Sequence, residues 1–330
     1  MKRTKVLLAL AIALVVLLAA CGDSAPATTT QAPDPGSSDT APESGGGGNQ
    51  LTIGATFYGL QTEFTMRMDN AAQGWATEQG NVTYISFDGN YDAATQMSQV
   101  ETMIAQGFDA IVLNPHDAVA AAAAVELAHS AGIPVVGVNT MVQSDLLTAY
   151  VGSLDVTAGE HIVEFMMDYL GTDTFNIVII EGPMGQSAQL QRMEGIQNIL
   201  DANPGINELV RGTANWSRSE AMTLMESWLA AHGENIDAVI AQNDEMALGA
   251  RVAIEAAGLD IPTIGIDGIP DAIAAVAEGR MIASYFQNAE RQMTRALELA
   301  VMAAKGEEVP QYDWIPFEMI TPDNYQDFMN

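Results

Sequence analysis

From Leu51 onward, short unbroken apolar runs alternate with longer stretches in which apolar residues recur at helical spacing. The short runs are β-rich and too brief for helices, and their lack of polar alternation suits strands buried on both faces. Ile236–Gly268 shows the pattern most plainly. DAVIA reads as a strand, a helical pattern follows Gln242-Asn243-Asp244, and IPTIGI is a second strand stopping at Asp267-Gly268. Phe108–Asn139 repeats this arrangement, with Asp109 matching Asp237, Gly137 matching Gly265 and Asn139 falling on Asp267. Asn114 then lies beside Asn243 in the alignment. An echo of this kind predicts two βαβ units, one in each half of the chain.

The same periodicity predicts further strands at LTIGATF, VTYISF, TAYVGS, NIVIIEG, INELVRGT and MIASYF, with a last one near Trp314–Ile320. Helices are expected from about Glu63 to Gln79, through Gln106-Gly107, from 156 to 170, through Leu200, from Ser217, and on to about Lys305. Ser217 and Glu220 have the spacing of a capping box. Roughly ten strands alternating with helices make an α/β fold of parallel, doubly wound sheets. Parallel units place every strand C-terminus on one edge, where open α/β sheets bind ligands. Two such edges facing each other would form a cleft lined by amides and carboxylates.

The segment before Leu51 has a different character. Lys2, Arg3 and Lys5 precede fifteen apolar residues, Val6–Ala20, and then Cys21. That core is short for a membrane span and suits a signal peptide over 1–20. Leu18-Ala19-Ala20-Cys21 resembles a bacterial lipobox, in which cleavage leaves a cysteine that receives lipid. Residues 21–50 hold almost no apolar bulk and are expected to form a disordered linker. The formal net charge is −30; without the three basic leader residues, 9 basic face 42 acidic side chains. Such a surface repels phosphate backbones, so no nucleic-acid partner is expected. Cys21 is the sole cysteine, which leaves no disulfide or thiolate metal site.

An enzyme finds little support in the sequence. It contains no G-x-S-x-G elbow, phosphate loop, H-E-x-x-H helix or dinucleotide fingerprint, so neither cofactor nor metal is expected. Of the four histidines only His116 stands next to a strand end. The strand ends themselves are consistent: Asn114, Asn139, Asn243, Asp267 and Gln287 each follow an apolar run. Short amides and carboxylates fix donors and acceptors in space, which suits a ligand dense in hydroxyls. Each also has a local explanation as a turn or helix cap. Tyr58 and Phe64 flank the first strand–helix loop and Trp216 precedes Ser217, so aromatic faces are available for sugar C–H groups. Ordinary core packing, or a hydrophobic staple at Trp216, is the alternative.

The lipobox and linker, LNP at 113–115, AGIPVVGVN at 131–139, AQNDEMALGA at 241–250 and IGIDGIPD at 264–271 together resemble type I periplasmic binding proteins, specifically ribose-binding-like receptors of ABC importers. The resemblance implies two Rossmann-like lobes joined by a three-segment hinge, residues 51–153 with 288–318 and residues 154–287 with 319–330. It implies crossings near Ser153–Asp155, Gln287–Asn288 and Met319–Thr321. It further implies a cleft of Tyr58, Thr62, Phe64, Thr65, Asn114, Asn139, Thr140, Trp216, Asn243, Asp267 and Gln287. Ribose-binding proteins carry Asp-Arg where Asn139-Thr140 stands here, and an arginine at the position aligned with Leu190. Losing two guanidinium forks removes rigid bidentate donors, which argues against ribopyranose itself; a polyol, a deoxy or furanose sugar, or an autoinducer-like compound fits as well as a pentose or hexose. Arg192 is expected to be structural. The implied protein is a monomeric, lipid-anchored receptor that delivers a monosaccharide or polyol to an ABC permease. A ligand sensor, a repressor and a surface-anchored hydrolase are the other readings.

Overall fold

The computed structural model describes residues 50–329. The expected signal segment, Cys21 and the linker up to residue 49 lie outside the described residues. Within them, one sheet is built from β1 (Leu51–Phe57), β2 (Val82–Asp88), β3 (Ala110–Asn114), β4 (Val135–Val138), β5 (Ala149–Gly152) and, much later, β11 (Tyr312–Trp314), in the order β11-β5-β4-β3-β1-β2. All its pairs are parallel. The second sheet takes β6 (Phe175–Glu181), β7 (Ile206–Thr213), β8 (Ala238–Ala241), β9 (Thr263–Asp267), β10 (Ala283–Phe286) and β12 (Glu318–Ile320), in the matching order β12-β10-β9-β8-β6-β7. Only β12 runs antiparallel. Each sheet is therefore doubly wound, as the alternating pattern predicts.

Helices cover both faces. On the first sheet, α1 (Glu63–Gln79) and α9 (Ala289–Ala304) pack on one side and α2 (Ala93–Ala105) and α3 (Ala121–Ser130) on the other. On the second, α4 (Asp155–Leu170) and α5 (Ser187–Ala202) lie opposite α6 (Arg218–His232), α7 (Asp244–Ala256) and α8 (Pro270–Ala277). Burial on both faces explains why β3, β4, β8 and β9 read as continuous apolar runs.

The sequence echo is a structural duplication down to single hydrogen bonds. Asp109 accepts the Thr52 N–H at 2.7 Å, and Asp237 accepts the Asn176 N–H at the same distance. Each aspartate thus ties the start of its own strand to that of its neighbour. Ile111 N–H donates to the Pro134 carbonyl just as Val239 N–H donates to Pro262.

Three details differ from the sequence-based expectation. The single final strand near Trp314–Ile320 is two three-residue strands in different sheets, β11 beside β5 and β12 beside β10. The third crossing therefore falls between Trp314 and Glu318, a few residues before Met319–Thr321, because β12 is needed to pair the open edge of β10. Pro270–Ala277 is a helix absent from the sequence reading, opened by proline at its first turn. The crossings are laced together: Ser153 donates to the Ile315 carbonyl at 2.7 Å and accepts from Gln292 at 2.9 Å.

Candidate functional site

The C-terminal strand ends of both sheets face one another across a small cavity. Tyr58, Thr62, Phe64, Asn139 and Thr140 line it from the first lobe; Gln186, Ala188, Arg192, Trp216, Asn243, Asp267 and Gln287 line it from the second. Nine of the eleven residues named from the sequence thus come together. Thr65 and Asn114 stand behind the wall.

Local chemistry explains both exceptions. Thr62 is the N-cap of α1, its hydroxyl accepting the Thr65 N–H at 3.3 Å, and the two hydroxyls lie 2.9 Å apart. Thr65 is fully buried and spent in that cap. Asn114 ends β3, but its amide turns sideways to donate to Thr140 Oγ1 at 2.9 Å and the Val138 carbonyl at 3.1 Å. It orients Asn139 and Thr140, which do reach the cavity. His116 lies off the cavity, its ring edge-on to Tyr91, and burial pushes it below the usual imidazole range.

Asn243 serves two purposes. Its Oδ1 caps α7 by accepting the Met246 N–H at 3.0 Å, while its residue lines the cavity, so the amide NH2 is left for another acceptor. Asp267 is 5% exposed, and no described residue donates a hydrogen bond to its carboxylate. Burial pushes that carboxyl well above its ordinary range, against the pull of Arg192. Gln287 uses its Oε1 on Arg192, and its buried Nε2 has no partner.

Sequence reasoning missed Gln186, Ala188 and the cavity role of Arg192. Arg192 is 3% exposed and does carry the structural load expected of it. Its Nε meets Asp155 at 2.8 Å, Nη1 donates to the Gln242 carbonyl at 2.6 Å and Nη2 to Gln287 Oε1 at 3.0 Å. Three of five N–H groups are thereby committed, and the guanidinium, 5.7 Å from the Trp216 ring centre, also forms part of the wall. Burial works to lower its pKa, but Asp155 and Asp267 outweigh it and hold the group above its ordinary value. Leu190 is 44% exposed and lies outside the cavity, whereas Arg192, two residues on, lines it. Gln186 could have been found by the strand-end rule, since it closes the loop after β6; it accepts the Trp216 indole N–H at 2.6 Å. A buried arginine well inside a helix leaves no such mark.

Backbone strain collects at the same edge. Every non-glycine residue with positive φ among the described residues (Asn90, Tyr91, Asn139, Asn215, Trp216 and Asp267) lies at or just beyond the C-terminal end of a strand. Such conformations persist only where the surroundings over-determine them. A second, solvent-open space shares Thr62 and Trp216 with the cavity and is also lined by Tyr91 and Arg218. It forms a vestibule; the buried, unpartnered Gln287 Nε2 belongs to the inner space.

Comparison with known proteins agrees with this geometry. Residues 53–308 match the model of the periplasmic binding protein domain family. The chain is similar to the xylitol-binding protein of Mycolicibacterium smegmatis, 38% identical over 88% of this chain and 81% of that one. It is 33% identical to the ribose import binding protein of Bacillus subtilis, over 85% and 90% of the two chains. Its fold superimposes with a TM-score of 0.82 on an ABC transporter solute-binding protein of Bacillus halodurans crystallised with myo-inositol, at 38% identity, covering 86% of this chain and 99% of that one. The paired sheets, the shared cavity and these matches place the chain in the periplasmic binding protein family.

Proposed function

We propose that this chain is the extracytoplasmic receptor of an ABC importer, capturing one polyol or monosaccharide between its lobes and presenting it to the permease. The observation that carries the reading is the set of uncommitted polar groups on one small cavity: the Asp267 carboxylate, the Gln287 Nε2, the Asn243 amide and the remaining Arg192 N–H groups. Each would be costly to bury without a partner, and together they offer both donors and acceptors to hydroxyls. Phe64 and Trp216 supply apolar faces for the C–H surface of the same ligand. The relatives bind xylitol, ribose or myo-inositol, all polyhydroxylated and uncharged.

The role is binding rather than catalysis. Delivery follows from closure, which buries the ligand and brings the two lobe surfaces into one arrangement. The N-terminal segment completes the reading: cleavage before Cys21 and its lipidation would tether a single chain to the outer face of the cell membrane by the 21–50 linker.

Thermal melting in a panel of xylitol, myo-inositol, D-ribose and glycerol, with amino acids as controls, tests the ligand class. A ligand at one hundred times its Kd adds about 2.7 kcal/mol, which moves the midpoint by several degrees. A shift with an amino acid and with none of the polyols or sugars would contradict the reading.

A further inference from the structure

The lobes also touch outside the cavity, through groups that do not face it. On one flank, Arg67 of α1 spans the gap. Its Nη1 donates to the Gly268 carbonyl at 3.3 Å, while its Nε is fixed by Glu290 of α9 at 2.7 Å. The receiving peptide is held equally firmly. The Gly268 N–H donates to Asp244 Oδ2 at 2.7 Å and to Ser284 Oγ at 3.1 Å, and Asp244 also accepts the Ile269 N–H. On the opposite flank, the Met141 N–H donates to Ser187 Oγ, the first helical residue of α5, at 2.6 Å. Gln191 adds a contact to the Met141 sulfur at 3.3 Å.

Both clasps join chain segments that carry cavity residues. Gly268 follows Asp267 and Met141 follows Thr140, while Ser187 follows Gln186. None of Arg67, Glu290, Met141, Ser187 or Gly268 lines the cavity. A contact that exists only when the lobes meet contributes to the closed state alone. It therefore changes apparent affinity by changing the closed population, without altering what the ligand touches.

We propose that Arg67, oriented by Glu290, and Ser187 act as positioning residues: a two-sided latch that sets how long the receptor stays closed on its ligand. The proposal rests on the receptor reading above. A latch predicts a common factor for every ligand, because opening releases them all. A cavity residue instead changes the ratio between ligands of different shape.

The test compares the parent protein with Arg67→Met, Arg67→Lys and Ser187→Ala, using xylitol and myo-inositol as probes. Affinity comes from calorimetry and dissociation from stopped-flow tryptophan emission. Arg67→Met should raise the dissociation rate about three- to tenfold, the range of one typical net hydrogen bond. It should do so by the same factor for both probes, with association and the ligand-free melting temperature unchanged. Arg67→Lys should restore part of the loss, and Ser187→Ala should reproduce the effect from the other flank. Dissociation rates within a factor of 1.5 of the parent in both Arg67→Met and Ser187→Ala (about the error of such a comparison), or an altered ratio between the probes, would overturn the latch. If the parent binds none of the polyols or sugars of the panel above, the receptor reading itself falls and the latch with it.

Discussion

The polar residue that ends each strand is the unit from which this site is made, and most of those residues were legible in the sequence. Asn139, Asn243, Asp267 and Gln287 reach the cavity because a parallel strand delivers the residue after it to the sheet edge, wherever the side chain is not claimed locally. Thr65 and Asn114 obey the same rule of position but are claimed, one by a helix cap and one by its neighbours. The cavity role of Arg192 escaped notice because nothing in a helical pattern distinguishes a buried arginine from a surface one. Asp244, next to Asn243, shows how much is invested in holding the edge. It is fully buried, accepts two backbone N–H groups and Ser284, and burial pushes it up to about 6. The folded protein therefore keeps this proton over a range in which an unfolded carboxyl, at 3.8, has lost it. More protons bound to the folded state means that stability falls as pH rises between those values. The loss attributable to this group is about 3 kcal/mol. Denaturant unfolding of the parent and Asp244→Asn at pH 4 and pH 6.5 checks this: the fall with rising pH should shrink in the variant. An unchanged difference between the two pH values would contradict it.

Helices and strands were more legible than their junctions. The long elements appear where their periodicity puts them, since seven-residue apolar strands and sixteen-residue amphipathic helices carry enough positions to define a period. β11 and β12, three residues each, do not, and their assignment to different sheets depends on which distant edge needs a partner. The closest packing of elements was also invisible beforehand. Gly159 on α4 and Gly195 on α5 let the helices meet backbone to backbone. A Cβ on Gly159 would strike the Arg192 carbonyl, and one on Gly195 the Val156 carbonyl. That contact fixes the depth of α5 and with it the height of Arg192 in the cavity wall. Gly159→Ala should therefore destabilise the protein by about 1–3 kcal/mol and weaken ligand binding although it touches no ligand. Chemical unfolding and calorimetry on the same variant would show both effects; full stability with full affinity would refute the packing argument.

At the scale of the molecule, two copies of one βαβ design have been set edge to edge, and function lies in the gap between them. Asp109 and Asp237 reveal the duplication in the chain and again in the hydrogen bonds that begin each central strand. The sequence made the two lobes legible because each carries its own periodicity. It did not give the size of the cavity, because that depends on how far the lobes have closed. Equilibrium calorimetry of the parent, Asn243→Ala and Asp267→Ala with the panel compound that raises the melting temperature most is the most direct test of a shared cavity. A single site per chain is expected, with each substitution weakening binding about tenfold or more, as lost buried hydrogen bonds should. Two independent sites per chain, or affinities within a factor of two of the parent in both variants, would contradict it.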